Sequence, residues 1–197
     1  EVTKYIQVSK TVKRMAIPAF EAFLVQTLGE ALARLLVKRI ISGSGSSQAT
    51  GIDKANTWDA TNSVTVAKAA SLTAQNVMDL IGLLPGGYDH NAKFLMSKKT
   101  LFTDFIPLQD KSKNDLVVLQ NGVYHIQGYP VLLDDSMTLH EAFLGDLTKY
   151  IGNLSEEINV TSDFDLKTNS YEYLGAAMFD GKPAMGEAFV KLIKATA

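Results

Sequence analysis

From Pro18 to Ile41 the chain reads PAFEAFLVQTLGEALARLLVKRII, its clearest run of helical periodicity. The Pro18 ring presets a helical φ, and its missing N–H falls where no intrahelical partner exists. Phe20, Phe23, Leu24, Leu28, Leu32, Leu35 and Leu36 recur at helical spacing, opposite a polar row of Gln26, Glu30, Arg34 and Lys38. Glu21 near the start and Lys38 and Arg39 near the end complement the helix dipole, Glu30 and Arg34 form an i,i+4 pair, and Gly43 supplies a stop. About 24 residues at 1.5 Å each make a helix of roughly 36 Å, which needs a long surface to lie on. Burying those large apolar side chains at roughly 1.5 to 3 kcal/mol each outweighs the ~1 kcal/mol cost of Gly29 within the helix.

SGSGSSQATG, Ser42 to Gly51, reads as a flexible connector by composition. It follows a helix where a phosphate loop follows a strand, and it lacks the Gly-Lys-Ser/Thr ending. Ahead of the helix, EVTKYIQVS alternates as a strand, with Val2, Lys4, Ile6 and Val8 on one face. A chain entering directly into such a strand at Glu1 reads as a processed or truncated product. Thr73 caps a predicted second helix through Leu84 that ends at PGGYD, and KFLMS, Lys93 to Ser97, reads as a buried strand. A short helix is expected over Lys98 to Phe105, before Pro107, and the all-polar QDKSKND, Gln109 to Asp115, is an exposed loop. From Leu116 the text turns to short β segments: LVVLQ, GVYHIQ, YPVLLD, EAFLGD, KYIGN and EINVTS. NSYEYLGAAMFDGK and EAFVKLIK suggest a final hairpin turning at Asp180-Gly181. Helices early and strands late make an α+β chain.

The 197 residues include 46% hydrophobic and 20% charged side chains, the balance of a globular chain that needs no disulfide or metal to hold a core. The sequence has no cysteine, which excludes disulfides and thiolate metal sites and suits a cytosolic origin. A net charge of −2 with bases and acids intermixed lacks the basic field of a dedicated nucleic-acid binder. Charges inside Ala19 to Ile41 make that stretch too polar to span a bilayer, and with no signal peptide the Asn153 and Asn159 sequons are chance matches.

Catalytic parts are missing. His90, His125 and His140 are far apart and outside any ligand spacing. Asp134 with Asp135, Glu156 with Glu157, and Asp163 with Asp165 read as turn or surface acids. No serine lies in a nucleophile elbow, and no thiol exists. Tyr5, Tyr124, Tyr129, Tyr150, Tyr171 and Tyr173 lack the basic interleaving of a stacking surface and read as sheet and core packing. No catalytic, cofactor or metal residue is expected, and no cofactor.

Four passages in order carry a resemblance. They are the helix with LVKRIISGSGSSQATGI; LTAQNVMDLIGLL followed by NAKFLMSKKTLF; IQGYPVLLDDSM with AFLGDLTKYIG; and MFDGKPAMGEAFVKLI. The chain resembles the major capsid protein of tailed bacteriophages, the Hong Kong 97-type shell subunit, truncated at its N-terminus. The resemblance implies a structural subunit, not an enzyme, with a long spine helix at 18–41, a peripheral domain and an axial domain. Residues 1–71, with the flexible loop 42–51, would be part of the peripheral domain. Residues 72–137 would form the axial domain, and 138–197 closing strands shared by both. Asp110, Lys111, Lys113 and Asp115 would then sit in a tip loop at the subunit interface. The implied partners are further copies of the chain, in pentamers and hexamers when full length, with scaffold and portal proteins and at most weak non-specific contact with packaged DNA. The implied location is the virion capsid, reached from the bacterial host cytoplasm. The alternatives are an encapsulin-like nanocompartment shell and a soluble α+β enzyme or ligand-binding domain.

Overall fold

The computed structural model describes residues 1–11, 18–67, 70–108 and 116–195. They divide into two compact units, one of Glu1–Gly51 with Gly152–Lys182 and one of Ile52–Ile151 with Pro183–Ala197.

The first unit pairs β1 (Val2–Ser9) with β9 (Ser170–Pro183), and β9 with β8 (Tyr150–Asp165), beside helix α1 (Pro18–Ser42). The antiparallel register runs from Val2 opposite Ala177 to Ser9 opposite Ser170. It sets Val8 and Tyr173 against Leu28, with Ile6, Leu24, Val160 and Tyr171 packed around them. Tyr173 donates its hydroxyl to Glu21 Oε1 at 2.9 Å. Helix and sheet approach closely at Gly175, where a Cβ would lie 2.8 Å from Leu32 Cδ1. The helix ends one residue beyond the expected Ile41. Gly43 stops it by proximity, since a Cβ there would meet the Ala49 carbonyl oxygen at 2.1 Å.

The connector 42–51 carries its own hydrogen bonds: Ser44 bridges Thr50, Gly51 N–H donates to Gly43 O at 2.9 Å, and Thr50 N–H donates to Gly181 O at 2.7 Å. That last bond bears on the expected final hairpin, which the structure corrects. Asp180 and Gly181 lie inside β9, and the chain reverses instead at 166–169, between β8 and β9. Asp165 makes that turn by accepting from Lys167 N–H at 2.9 Å and the Thr168 hydroxyl at 2.8 Å, while Asn169 takes the left-handed conformation at φ 52°. The expected short strands KYIGN and EINVTS fuse into the 16-residue β8.

In the second unit a seven-stranded sheet runs in the order β2 (Ser63–Val66), β10 (Phe189–Lys194), β7 (Glu141–Asp146), β3 (Ala92–Met96), β6 (Tyr129–Leu133), β5 (Val123–Ile126), β4 (Val117–Gln120). Two tight reversals build its far end. Asn121-Gly122 and Gln127-Gly128 both carry positive φ, the backbone that two-residue hairpins require. Helix α2 (Ala74–Leu83) starts at the expected cap, where Thr73 and Asn76 form a reciprocal capping box. Its buried Val77 and Leu80 join Phe94, Met96, Phe105, Ile126, Leu144 and Leu192 in one core. The short helix beginning at Lys98 widens into a π-turn over Leu101–Phe105, in which Ile106 N–H reaches Leu101 O. This widening sits next to Pro107, whose missing N–H already interrupts a regular ladder.

Candidate assembly surfaces

Helix α1 buries less of itself than its sequence pattern predicts. Leu28, Leu32 and Ile41 are buried, but Phe23 is 60% exposed, and Phe20, Val25 and Val37 are exposed as well. The expected single apolar stripe is therefore corrected: several apolar side chains lie outside the buried face, among exposed Gln26, Glu30 and Arg34. Large apolar side chains left exposed among polar ones mark a surface suited to burial against a partner. One copy of the chain covers only part of the helix.

The same unit presents the edge of β8, exposed from Gly152 to Glu157 at every residue whose side chain is described, with Leu154 and Ile158 uncovered. On the second unit, Leu119 is 58% exposed beside its register partner Tyr124, whose ring meets exposed Phe102 edge-on at 5.9 Å. Asp110, Lys111, Lys113 and Asp115 lie outside the described residues. The flanking Leu108 and Leu116 are buried in the core of the second unit.

Two charged clusters lie inside the second unit, and sequence reasoning missed both. Lys191 Nζ is 2.7 Å from Asp53 Oδ1 and 2.9 Å from Glu141 Oε2. Burial alone would push the Asp53 carboxyl up. The hydrogen bond and charge of Lys191, with Lys54 beside it, outweigh burial and hold it below the usual carboxylate range. In the second cluster Asp104 meets His140 Nδ1 at 2.6 Å and Lys194 Nζ at 3.0 Å. Buried Lys191 and Asp104 each face an oppositely charged side chain, which is the condition for burying a charge.

His90 stands apart in a surface turn, and His125 Nδ1 contacts the Val123 carbonyl at 3.1 Å. Asp134 accepts from Ser136 N–H at 2.7 Å, a turn role like that of Asp165. Tyr129 donates to Asp89; that hydrogen bond, then burial and the carboxylate charge, pushes its hydroxyl up to about 12. Among the described residues no group of three or more His, Asp or Glu is placed to hold a metal, and no helix is long and apolar enough to cross a membrane.

The model of the phage capsid family matches residues 1–193. The chain belongs to the phage capsid family. Members of that family are structural proteins of the virion capsid, and this one is a capsid subunit and not an enzyme. No curated protein matches it. Among solved structures, the chain is similar to the capsid of the native GTA particle computed with C5 symmetry, at 20% identity and TM-score 0.76, covering 99% of this chain and 72% of that one. The capsid of the empty GTA particle gives 18% identity and TM-score 0.75, covering 99% and 73%. The SrpI encapsulin of Synechococcus elongatus PCC 7942 gives 15% identity and TM-score 0.72, covering 98% and 72%. The fold is the α+β, Hong Kong 97-type capsid fold.

Proposed function

We propose that this capsid subunit assembles with copies of itself into pentamers and hexamers that close an icosahedral shell around a phage or prophage genome. The incompletely covered α1 carries the reading, because Phe20, Phe23 and Val25 gain nothing from exposure in a lone subunit and become core once a neighbour lies over them. The similarity to capsids computed with five-fold symmetry supports it.

In this reading the unit that holds α1 is the peripheral lobe and the seven-stranded unit the axial lobe. Asp110, Lys111, Lys113 and Asp115 take part in the subunit interface. Scaffold and portal proteins are the further partners, assembly starts in the host cytoplasm, and contact with packaged DNA is weak and non-specific, which suits a net charge of −2. The similarity to an encapsulin favours a second reading, a nanocompartment shell. Cargo-enzyme genes beside this gene, in place of portal and protease genes, would select it. Light scattering on the full-length gene product tests the shared claim: particles far above monomer mass support shell assembly, and a monodisperse monomer at all concentrations opposes it.

A further inference from the structure

Among the described residues, Arg39 Nε is the one buried side-chain nitrogen or oxygen without a hydrogen-bond partner. Seven residues on from Leu32 and eleven from Leu28, Arg39 returns to the face of α1 that packs on the sheet of the first unit. Leu28 packs with Tyr173, Leu32 lies against Gly175, and Thr50, past the helix end, donates to the Gly181 carbonyl. Arg39 is thereby placed alongside β9 between Gly175 and Gly181. The register of β1 with β9 stops at Ala177, so beyond it the sheet holds only β9 and β8.

Arg39 is unlike the other bases of its helix. Arg34 and Lys38 are exposed, and Arg34 pairs with Glu30 at 3.4 Å. Arg39 is half-buried, and among the described residues no carboxylate lies within ion-pair distance of its guanidinium. The carbonyl end of α1 attracts the charge, since Arg39 sits in the last turn, but it leaves the Nε donor unmet. A guanidinium stays protonated at any ordinary pH, so burial cannot be relieved by loss of its proton. The charge waits for an acceptor.

We propose that Arg39 is the docking point for a carboxylate of a second copy of this chain. The inference rests on the shell reading and names one contact within it. The surface beside Arg39 is already suited to a neighbour. Thr161 donates to the Leu174 carbonyl, and counting along the hairpin from that contact puts Ile158 beside Ala177 and Leu154 beside Gly181. Leu154 and Ile158 share the strand face of Val160, which packs toward α1, yet both are uncovered. A copy that covers them also takes water from Arg39, and such a surface must bring an acid to offset the desolvation. The chain has acids to offer: Glu157, Asp163 and Asp180 are exposed and meet no base among the described residues. The two oxygens of a carboxylate match the guanidinium fork.

Urea unfolding of the full-length subunit below its assembly concentration, paired with sedimentation of assembled particles, tests this on wild type, Arg39→Met and Arg39→Lys. Arg39→Met keeps a long apolar stem and drops the charge. Its urea midpoint should be no lower than that of wild type, because no partner inside the subunit is lost. Its half-assembly should need a roughly tenfold higher subunit concentration, the effect of one charge-assisted contact. Arg39→Lys, which keeps the charge without the fork, should assemble between the two. A lower midpoint for Arg39→Met overturns the proposal, since the guanidinium is then held within its own subunit. So does Arg39→Met assembling at the wild-type concentration, a result that leaves the shell reading standing. Failure of wild type to assemble sinks the shell reading itself, and this contact with it. Inorganic phosphate that raises the wild-type midpoint and not that of Arg39→Met would put a free anion at Arg39 in place of a neighbour's carboxylate.

Discussion

Gly145 of β7 and Phe189 of β10 are register partners, and a Cβ on residue 145 would lie 2.3 Å from the Ala188 carbonyl oxygen and 2.8 Å from Phe189 Cδ1. The obstructing carbonyl belongs to backbone at the foot of a central strand, so it cannot swing aside as a side-chain end could. Gly145→Ala should cost about 3 kcal/mol, read as a lower urea midpoint with an unchanged m-value. A loss under about 0.5 kcal/mol would mean that the β7–β10 contact is looser than described.

Helix α1 separates folding from assembly. Leu32 is fully buried, so Leu32→Ala should destabilise the single subunit by about 2 to 5 kcal/mol. Phe23→Ser, at a position 60% exposed, should leave subunit stability within about 0.5 kcal/mol and yet reduce shell yield. Urea unfolding alongside particle counting checks both, and normal shell yield from Phe23→Ser would remove that side chain from any interface.

Much of the first unit's helix was legible from sequence because periodicity and caps are local. Pro18, the apolar spacing and Gly43 mark α1 to within a residue, and Thr73 marks the start of α2. Strand pairing left no such trace. Asp180-Gly181 has turn composition, but β9 runs on through it after its residues Ser170–Ala177 have paired with β1, more than 160 positions away. The Lys191 cluster was hidden for the same reason: in FVKLIK a lysine between valine and leucine reads as solvent-facing, and only the fold brings Asp53 and Glu141 to it. The surplus apolar surface of α1 was invisible because spacing counts apolar residues without saying what covers them.

Tyr129 supplies a pH test. Its hydrogen bond to Asp89, with burial and the carboxylate charge behind it, raises the phenol from 10.0 to about 12 in the folded state. A raised folded value means that the contribution to stability is complete below the unfolded value near 10.0 and is lost as pH rises through about 12. In ultraviolet titration the difference between wild type and Tyr129→Phe should have its midpoint near pH 12. Asp89→Asn should move that midpoint down toward 10, and an unmoved midpoint would rule out the carboxylate as the cause.

The charged loop is expected to tune association, not to drive it. Exposed ion pairs contribute about 0 to 1 kcal/mol each and are screened by salt. Replacing Asp110 and Asp115 by Asn and Lys111 and Lys113 by Gln should flatten the salt dependence of assembly while shells still form. Assembly unchanged at every ionic strength would place these four residues away from the interface.

Cryo-electron microscopy of the full-length gene product, expressed alone and with its neighbouring structural genes, tests the central claim most directly. The account predicts closed shells whose density fits the two units of this chain, with a neighbouring copy covering Phe20, Phe23 and Val25 of α1. Absence of closed particles under both conditions, or shells in which Phe20, Phe23 and Val25 stay open to solvent, would contradict it.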